Sequence, residues 1–203
     1  MKLITVPASP FGRKVRVVAA ETGLTDALEV LHDNPWKPDT GVPALNPVGK
    51  VPVLVTDDGT TLYDSTVICE FLDSLHQREP LFPARGVARW RALRRQQLAD
   101  HALDAFILAR LERNRAPAEQ SPGWIARQQA VLGRCLDAMD AERSEPATQG
   151  FDIGDIAIAV CLGHLDFRQA SDAPGWRDAR PRLAAWYERV AARASLRDTM
   201  PHD

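Results

Sequence analysis

Asn46-Pro47-Val48-Gly49-Lys50-Val51-Pro52-Val53-Leu54-Val55-Thr56 is the stretch on which the fold turns. Pro47 sits at a turn-like point, and the β-branched run that follows reads as a strand entered through Pro52. A proline is allowed at a strand's first residue because its missing N–H falls outside the ladder. With a cis Val51-Pro52 bond, the N–H and C=O of Val51 would be left to pair with an extended peptide ligand. Downstream, Val51–Thr56, the turn signal Asp57-Asp58-Gly59 and Thr60–Tyr63 form a hairpin pattern. Val67, Ile68, Phe71, Leu72 and Leu75 then mark a helix face that starts at Asp64 or Ser65. Upstream, Lys2–Val6 reads as a strand and Ala27–Leu31 as a second. Between them Phe11, Val15, Val18 and Ala19 recur at helical spacing, after the cap-and-proline pair Ser9-Pro10. A β-α-β unit followed by β-β-α is a small α/β layer fold, and the order matches a thioredoxin-like sheet.

Beyond residue 76 the character changes. Residues 1–76 carry 6 basic and 10 acidic side chains and all four lysines, whereas 77–203 hold 19 arginines and 17 acids. Gln77-Arg78-Glu79-Pro80-Leu81-Phe82-Pro83 cannot continue a helix, so 77–86 reads as a linker. The remainder, 87–203, is helical throughout. Trp124, Ile125, Gln128, Val131, Leu132, Cys135, Leu136 and Met139 make one stripe, and Leu183, Trp186, Tyr187, Val190, Ala191 and Ala194 another. Asp152-Ile153-Gly154-Asp155 is a helix start with acids at the cap and third positions. Four or five such helices make a bundle.

The composition is that of a soluble globular chain, with 45% hydrophobic and 26% charged residues among 203. A net charge of −2 argues against a broadly basic nucleic-acid binder. No apolar run approaches the roughly 18–20 residues that span a bilayer, and basic residues interrupt the first eighteen. Three scattered cysteines suggest neither a disulfide framework nor a metal site, so the expected compartment is cytoplasmic.

Three short motifs can carry chemistry. Each alone reads more readily as local structure. Ser9 is a helix cap, yet a hydroxyl at a helix start can hydrogen-bond an anion such as a thiolate. Val51-Pro52 is a strand entry or a peptide-binding edge. Asp64-Ser65 is a cap, or a receiver for the ammonium and carboxylate of an amino-acid head group. The five histidines lack metal-ligand spacing, and no phosphate loop is present. Arg89, Arg91, Arg94 and Arg95 read as a solvated helix face. Asp100, His101 and Asp104 read as surface residues, with a shared cleft as the alternative.

Together and in this order the motifs are more specific. With Ser9-Pro10-Phe11-Gly12-Arg13-Lys14-Val15-Arg16, Asn46–Leu54, Tyr63–Ile68 and Asp152–Ala157, the chain resembles the cytosolic glutathione transferase superfamily over essentially its whole length. It looks most like small bacterial relatives of serine type with a Ser-Pro-Phe start. The resemblance implies a thioredoxin-like domain holding glutathione, an all-helical domain with the second substrate's pocket, and a homodimer with candidate surfaces on the helices starting near Asp64 and Arg89. It assigns thiol activation to Ser9 and glutathione contacts to Phe11, Lys50, Val51, Pro52, Asp64 and Ser65. Glutathione is then a co-substrate, and no other cofactor is expected. The implied activity is attack of its thiolate on a small hydrophobic electrophile or a hydroperoxide. A binding or protein-interaction module with little turnover, and a glutathione-dependent isomerase or dehalogenase, are the alternatives. Asp104, Leu108 and Trp176, with Phe11, are candidates for lining the pocket. No cysteine stands at position 9, which argues against mixed-disulfide chemistry by the protein.

Overall fold

The computed structural model describes residues 1–142, 150–168 and 175–203. In chain order the elements are β1 (Lys2–Thr5), α1 (Pro10–Thr22), β2 (Glu29–His32), α2 (Val42–Leu45), β3 (Val53–Val55), β4 (Thr61–Leu62) and α3 (Ser65–Asp73). There follow α4 (Gly86–Arg113), α5 (Pro122–Ala141), α6 (Ile153–Phe167), α7 (Trp176–Ala179), α8 (Pro181–Ala191) and α9 (Ala194–Arg197). The chain divides into two units, Met1–Ala84 with Ala194–Asp203, and Arg85–Arg193. The expected helical domain 87–203 thus gives its last ten residues to the first unit.

In the first unit the sheet order is β2-β1-β3-β4. β1 and β2 are parallel; β3 is antiparallel to β1, and β4 to β3. The central strand β1 buries Leu3, Ile4 and Thr5 in succession, while every residue of the edge strand β2 is exposed. α1 and α3 pack together, and Val15, Val18, Ile68 and Leu72 lie buried with Leu3 and Leu54. Gly12 is what allows α1 to approach β1. A Cβ there would stand 1.8 Å from Thr5 Oγ1.

The expected strand at Ala27–Leu31 is displaced to Glu29–His32, because Thr25–Ala27 closes a 3-10 turn first. α2 carries no signal of its own, since four residues with a proline inside show no periodicity. The expected linker is fastened at its middle. Asp73, at the end of α3, accepts the backbone N–H of Leu81 at 2.8 Å and of Phe82 at 3.0 Å, and meets His76 Nε2 at 3.0 Å. Leu81 and Phe82 are buried accordingly.

In the second unit α4 packs along α5 and α6. α6 is apolar on every side and buried from Ile153 to Leu165, the mark of a central helix. Its start carries the anticipated capping box. Asp152 Oδ1 accepts from Gly154 and Asp155 N–H at 2.9 and 3.1 Å, and Asp155 accepts back from Asp152 N–H at 3.4 Å. Arg95 grips both acids, at 2.5 Å to Asp152 and 3.2 Å to Asp155. The solvated-face reading therefore fails for Arg95. Gly154 makes the contact possible, since a Cβ there would meet Ala92 O and Arg95 Cβ at 2.7 Å. α8 lacks a cap of its own, and Asp140 of α5 supplies one. Its Oδ1 takes Leu183 N–H at 2.9 Å, while Oδ2 holds Arg182 at 2.7 and 3.0 Å.

Candidate functional site

The sheet register brings the three motifs to one place. Ile4, near the end of β1, faces Val53 at the start of β3, so Pro52 and Val51 lie beside the exit of β1 that leads to Ser9. Leu62 closes β4 opposite Leu54, which sets Tyr63, Asp64 and Ser65 at the same end of the sheet. Because β2 is parallel to β1 and ends at His32 opposite Thr5, the loop carrying Trp36 and Lys37 leaves there too.

Ser9 caps α1. Its Oγ accepts Gly12 N–H at 3.1 Å, and the side chain is largely buried, at 8% exposure. This bond uses a lone pair and leaves the hydroxyl proton available for donation. Pro10 at the first helical position has no N–H. The next one, on Phe11, makes no hydrogen bond among the described residues and belongs to the unsatisfied positive end of the helix. Behind it Lys14, fully buried, places Nζ 5.9 Å from the centre of the Phe11 ring.

Val51-Pro52 is cis. The ladder begins at Val53, so the main chain of Val51 lies outside it. The preceding loop is fixed by Asn46, a buried residue to which the sequence reading gave no role of its own. Its Nδ2 donates to Lys50 O at 2.8 Å and its Oδ1 accepts Val48 N–H at 3.0 Å, while Gly49 N–H closes on Asn46 O at 2.8 Å. An asparagine three residues before a glycine was the available signal. Lys50 is exposed.

Asp64 caps α3, accepting Thr66 N–H on Oδ1 at 2.9 Å, and its side chain is otherwise exposed. The Tyr63-Asp64 bond is also cis. Ser65, at the first helical position, is buried. A negative carboxylate, a hydroxyl and a helix start thus stand at the same sheet end as Ser9, a donor set and an acceptor set suited to a zwitterionic head group.

The helical unit is less explicit. Asp104 and Leu108, one turn apart on α4, are partly and substantially exposed, and Asp104 lies 3.7 Å from His101. Asp100 is buried, so it shares no surface with His101. Trp176 departs from its expected pocket-lining place. It is buried, its Nε1–H donating to Asp166 at 3.0 Å, with the Tyr187 ring edge-on and Arg177 stacked against it. Those contacts engage the indole inside the unit.

A cleft of about 510 Å³ lies at the other end of the sheet, lined by Met1, Lys2, Asp26, Glu29 and Asp57. It touches none of the three motifs. Burial raises the thiol pKa of Cys135, and burial followed by the charge of Asp100 raises that of Cys161, which keeps both protonated near neutrality. Among the described residues no His, Cys, Asp and Glu group could hold a metal ion, and no helix is long and apolar enough to cross a membrane.

Comparison with known proteins gives the family. Residues 8–75 match the model of the glutathione S-transferase N-terminal domain, and residues 122–189 match that of its C-terminal domain. The uncharacterized GST-like protein YibF of Escherichia coli K12 is 34% identical, with 99% of this chain and 98% of YibF covered. Glutathione S-transferase 2 of Saccharomyces cerevisiae is 36% identical, over 97% of this chain and 88% of its own. A glutathione transferase family member from Pseudomonas fluorescens Pf-5, solved with bound glutathione, superposes with a TM-score of 0.93 at 40% identity, covering 100% of this chain and 99% of its own. The same protein has been solved with S-(propanoic acid)-glutathione. The chain belongs to the glutathione S-transferase family.

Proposed function

We propose that the protein is a serine-type glutathione transferase, in which Ser9 holds glutathione as the thiolate for attack on a small electrophile. The observation that carries this reading is the state of the Ser9 hydroxyl. Its oxygen is occupied as an acceptor by Gly12 N–H, and its proton is left to donate. A sulfur placed there meets that O–H, the Phe11 N–H and the positive helix end, all of which favour the charged form. The tripeptide's cysteinyl main chain pairs with Val51 beside Pro52. Its γ-glutamyl group lies at Asp64 and Ser65, and its glycine carboxylate is within the field of Lys50. The sulfur lone pair then attacks an electrophilic carbon, forming a thioether as the leaving group departs, or attacks the terminal oxygen of a hydroperoxide. The latter breaks the O–O bond, so that glutathione sulfenic acid forms and the departing alkoxide takes up a proton to leave as the alcohol. Asp104 and Leu108 on α4 are the proposed second-substrate contacts. Glutathione bound in the Pseudomonas relative supports the first half of this reading, and its S-(propanoic acid) conjugate is the kind of thioether the second half makes. The working form is a cytoplasmic homodimer.

The test is titration of bound glutathione by thiolate absorbance in wild type, Ser9→Ala and Ser9→Gly. A charge-assisted hydrogen bond contributes about 1.5–3 kcal/mol, or roughly one to two pKa units. Both variants should therefore raise the bound thiol's pKa and lower turnover near neutral pH by about tenfold to a hundredfold, with little change in glutathione affinity. Glycine is a tolerated cap and alanine a poor one. Only Ser9→Ala should lose appreciable stability, so the chemical and capping roles separate. Coincident titration curves in all three proteins would reduce Ser9 to a cap.

A further inference from the structure

Behind Ser9 the first helix is tied to the far end of the chain. Arg13 is 2% exposed, and its Nη2 donates to Leu196 O at 2.9 Å and meets Met200 Sδ at 3.4 Å. Its Nε donates to Thr199 Oγ1 at 3.5 Å, and the Thr199 hydroxyl in turn donates to Ser195 O at 2.7 Å. Two turns further along α1, Glu21 accepts the Ser195 hydroxyl. Residues 195–200 therefore grip α1 at two points, and both lie in the first unit although the helical unit separates them in sequence.

Arg13 is also main-chain partner to the activating residue. Its N–H donates to Ser9 O at 2.9 Å, the bond that opens the helix. Beside it Gly12 sits against Thr5 with no room for a methyl group. The first turn of α1 is thus held both by β1 and by the C-terminal segment. A buried guanidinium keeps its acceptors, because separating them strands a charge away from water. Small displacements of a reacting group are costly, on the order of a hundredfold in rate for 1 Å.

We propose that Arg13 is a positioning residue for Ser9, and that the C-terminal segment 195–200, through Arg13, sets where the Ser9 hydroxyl stands relative to the glutathione sulfur. This rests on the reading of Ser9 given above. The C-terminal residues contribute to thiol activation without touching glutathione.

The experiment uses full-length Arg13→Met, Arg13→Lys and Thr199→Val, with Ser9→Ala run in parallel, and follows both the bound-thiol titration and the split between kcat and the glutathione KM. Arg13→Met should raise the bound thiol's pKa and lower kcat by about tenfold, leaving the glutathione KM within about twofold. Arg13→Lys, which retains a donor for Leu196 O, should recover part of the loss. Thr199→Val should shift the titration in the same direction by less, and it decides the matter if Arg13→Met does not fold. Thr199→Val added to Ser9→Ala should give no further shift, since the effect passes through the hydroxyl. Wild-type titration in the folded Arg13 and Thr199 variants, beside a shifted Ser9→Ala, would overturn the positioning role alone. An unshifted Ser9→Ala would instead overturn the reading of Ser9. Shifts that add in the double variant would show that the C-terminal effect does not pass through the Ser9 hydroxyl, against the proposal.

Discussion

Asp64 Oδ1 takes the Thr66 N–H at 2.9 Å and caps α3, while the rest of its carboxylate stands exposed at the sheet end that holds Ser9 and Val51. Asparagine caps a helix as well as aspartate does. Asp64→Asn should therefore leave the melting temperature of the glutathione-free protein almost unchanged. It should weaken glutathione binding by about 1.5–3 kcal/mol, the worth of a hydrogen bond to a charged group. Calorimetric affinity and a thermal melt, taken on the same preparation, check both halves. A collapse of stability with unchanged affinity per folded molecule would leave Asp64 a cap and nothing more. Gly12→Ala belongs to the same scale. With the new Cβ 1.8 Å from Thr5 Oγ1, it should destabilise by about 1–3 kcal/mol, partly restored by Thr5→Ala. Ser9, Val51 and Asp64 could be found from sequence because each sits at a cap or strand entry with a local signature. Asn46 offered only a local turn signal, an asparagine three residues before a glycine, while Arg95 was harder still, since what defines it is a pair of acids some sixty residues away.

The elements that sequence predicted best are those whose signals lie within them. α1 has its serine cap and proline, and α6 has its capping box and continuous apolar run. β2 shifted because a short turn claimed Ala27, and α2 escaped notice because one helical turn leaves no period to detect. α8 begins without a cap of its own, and nothing in its sequence points to Asp140 on α5. Two of these helix-start carboxylates titrate with opposite sign. Burial works to raise Asp140, but Leu183 N–H and the Arg182 guanidinium outweigh it and hold the carboxyl below its usual range. Its stabilisation is present above the unfolded pKa of about 3.9 and is lost as pH falls through the lower folded value. Burial, and then the Asp155 charge, push Asp152 upward against the pull of Arg95. That contribution is present below about pH 3.9 and is lost as pH rises through the raised folded value. Denaturant melts across pH should show wild type losing its margin over Asp140→Asn in acid. Its margin over Asp152→Asn should shrink instead as pH rises. Parallel curves for both pairs would contradict the assigned directions.

At the scale of the whole molecule, a composition shift near residue 76 marked the change from mixed to helical chain, and the structural division falls after Ala84. The return of Ala194–Asp203 to the first unit had no such mark, because a helical end looks alike whichever unit it joins. The proposed homodimer has a candidate surface on α4. On α4, Val87 and Trp90 are 73% and 67% exposed, one turn apart, and Arg91 and Arg94 extend the same stripe. On α3, Val67 is an exposed apolar residue on a helix that buries Ser65, Ile68, Cys69 and Leu72. A tryptophan left in water on a regular helix is the kind of side chain that carries interface energy once a partner covers it. A two-fold interface uses each patch twice, so a single substitution enters it twice. In sedimentation equilibrium the wild type should have twice the 22.4 kDa of one chain. Trp90→Glu should sediment as the single chain, since the interface would lose two aromatic anchors and would have to desolvate two new carboxylates. Trp124→Glu, a charge placed on a partly exposed tryptophan of α5, should leave the mass unchanged. A wild type that sediments as one chain would refute the homodimer. A dimeric Trp90→Glu would move the interface off this stripe of α4.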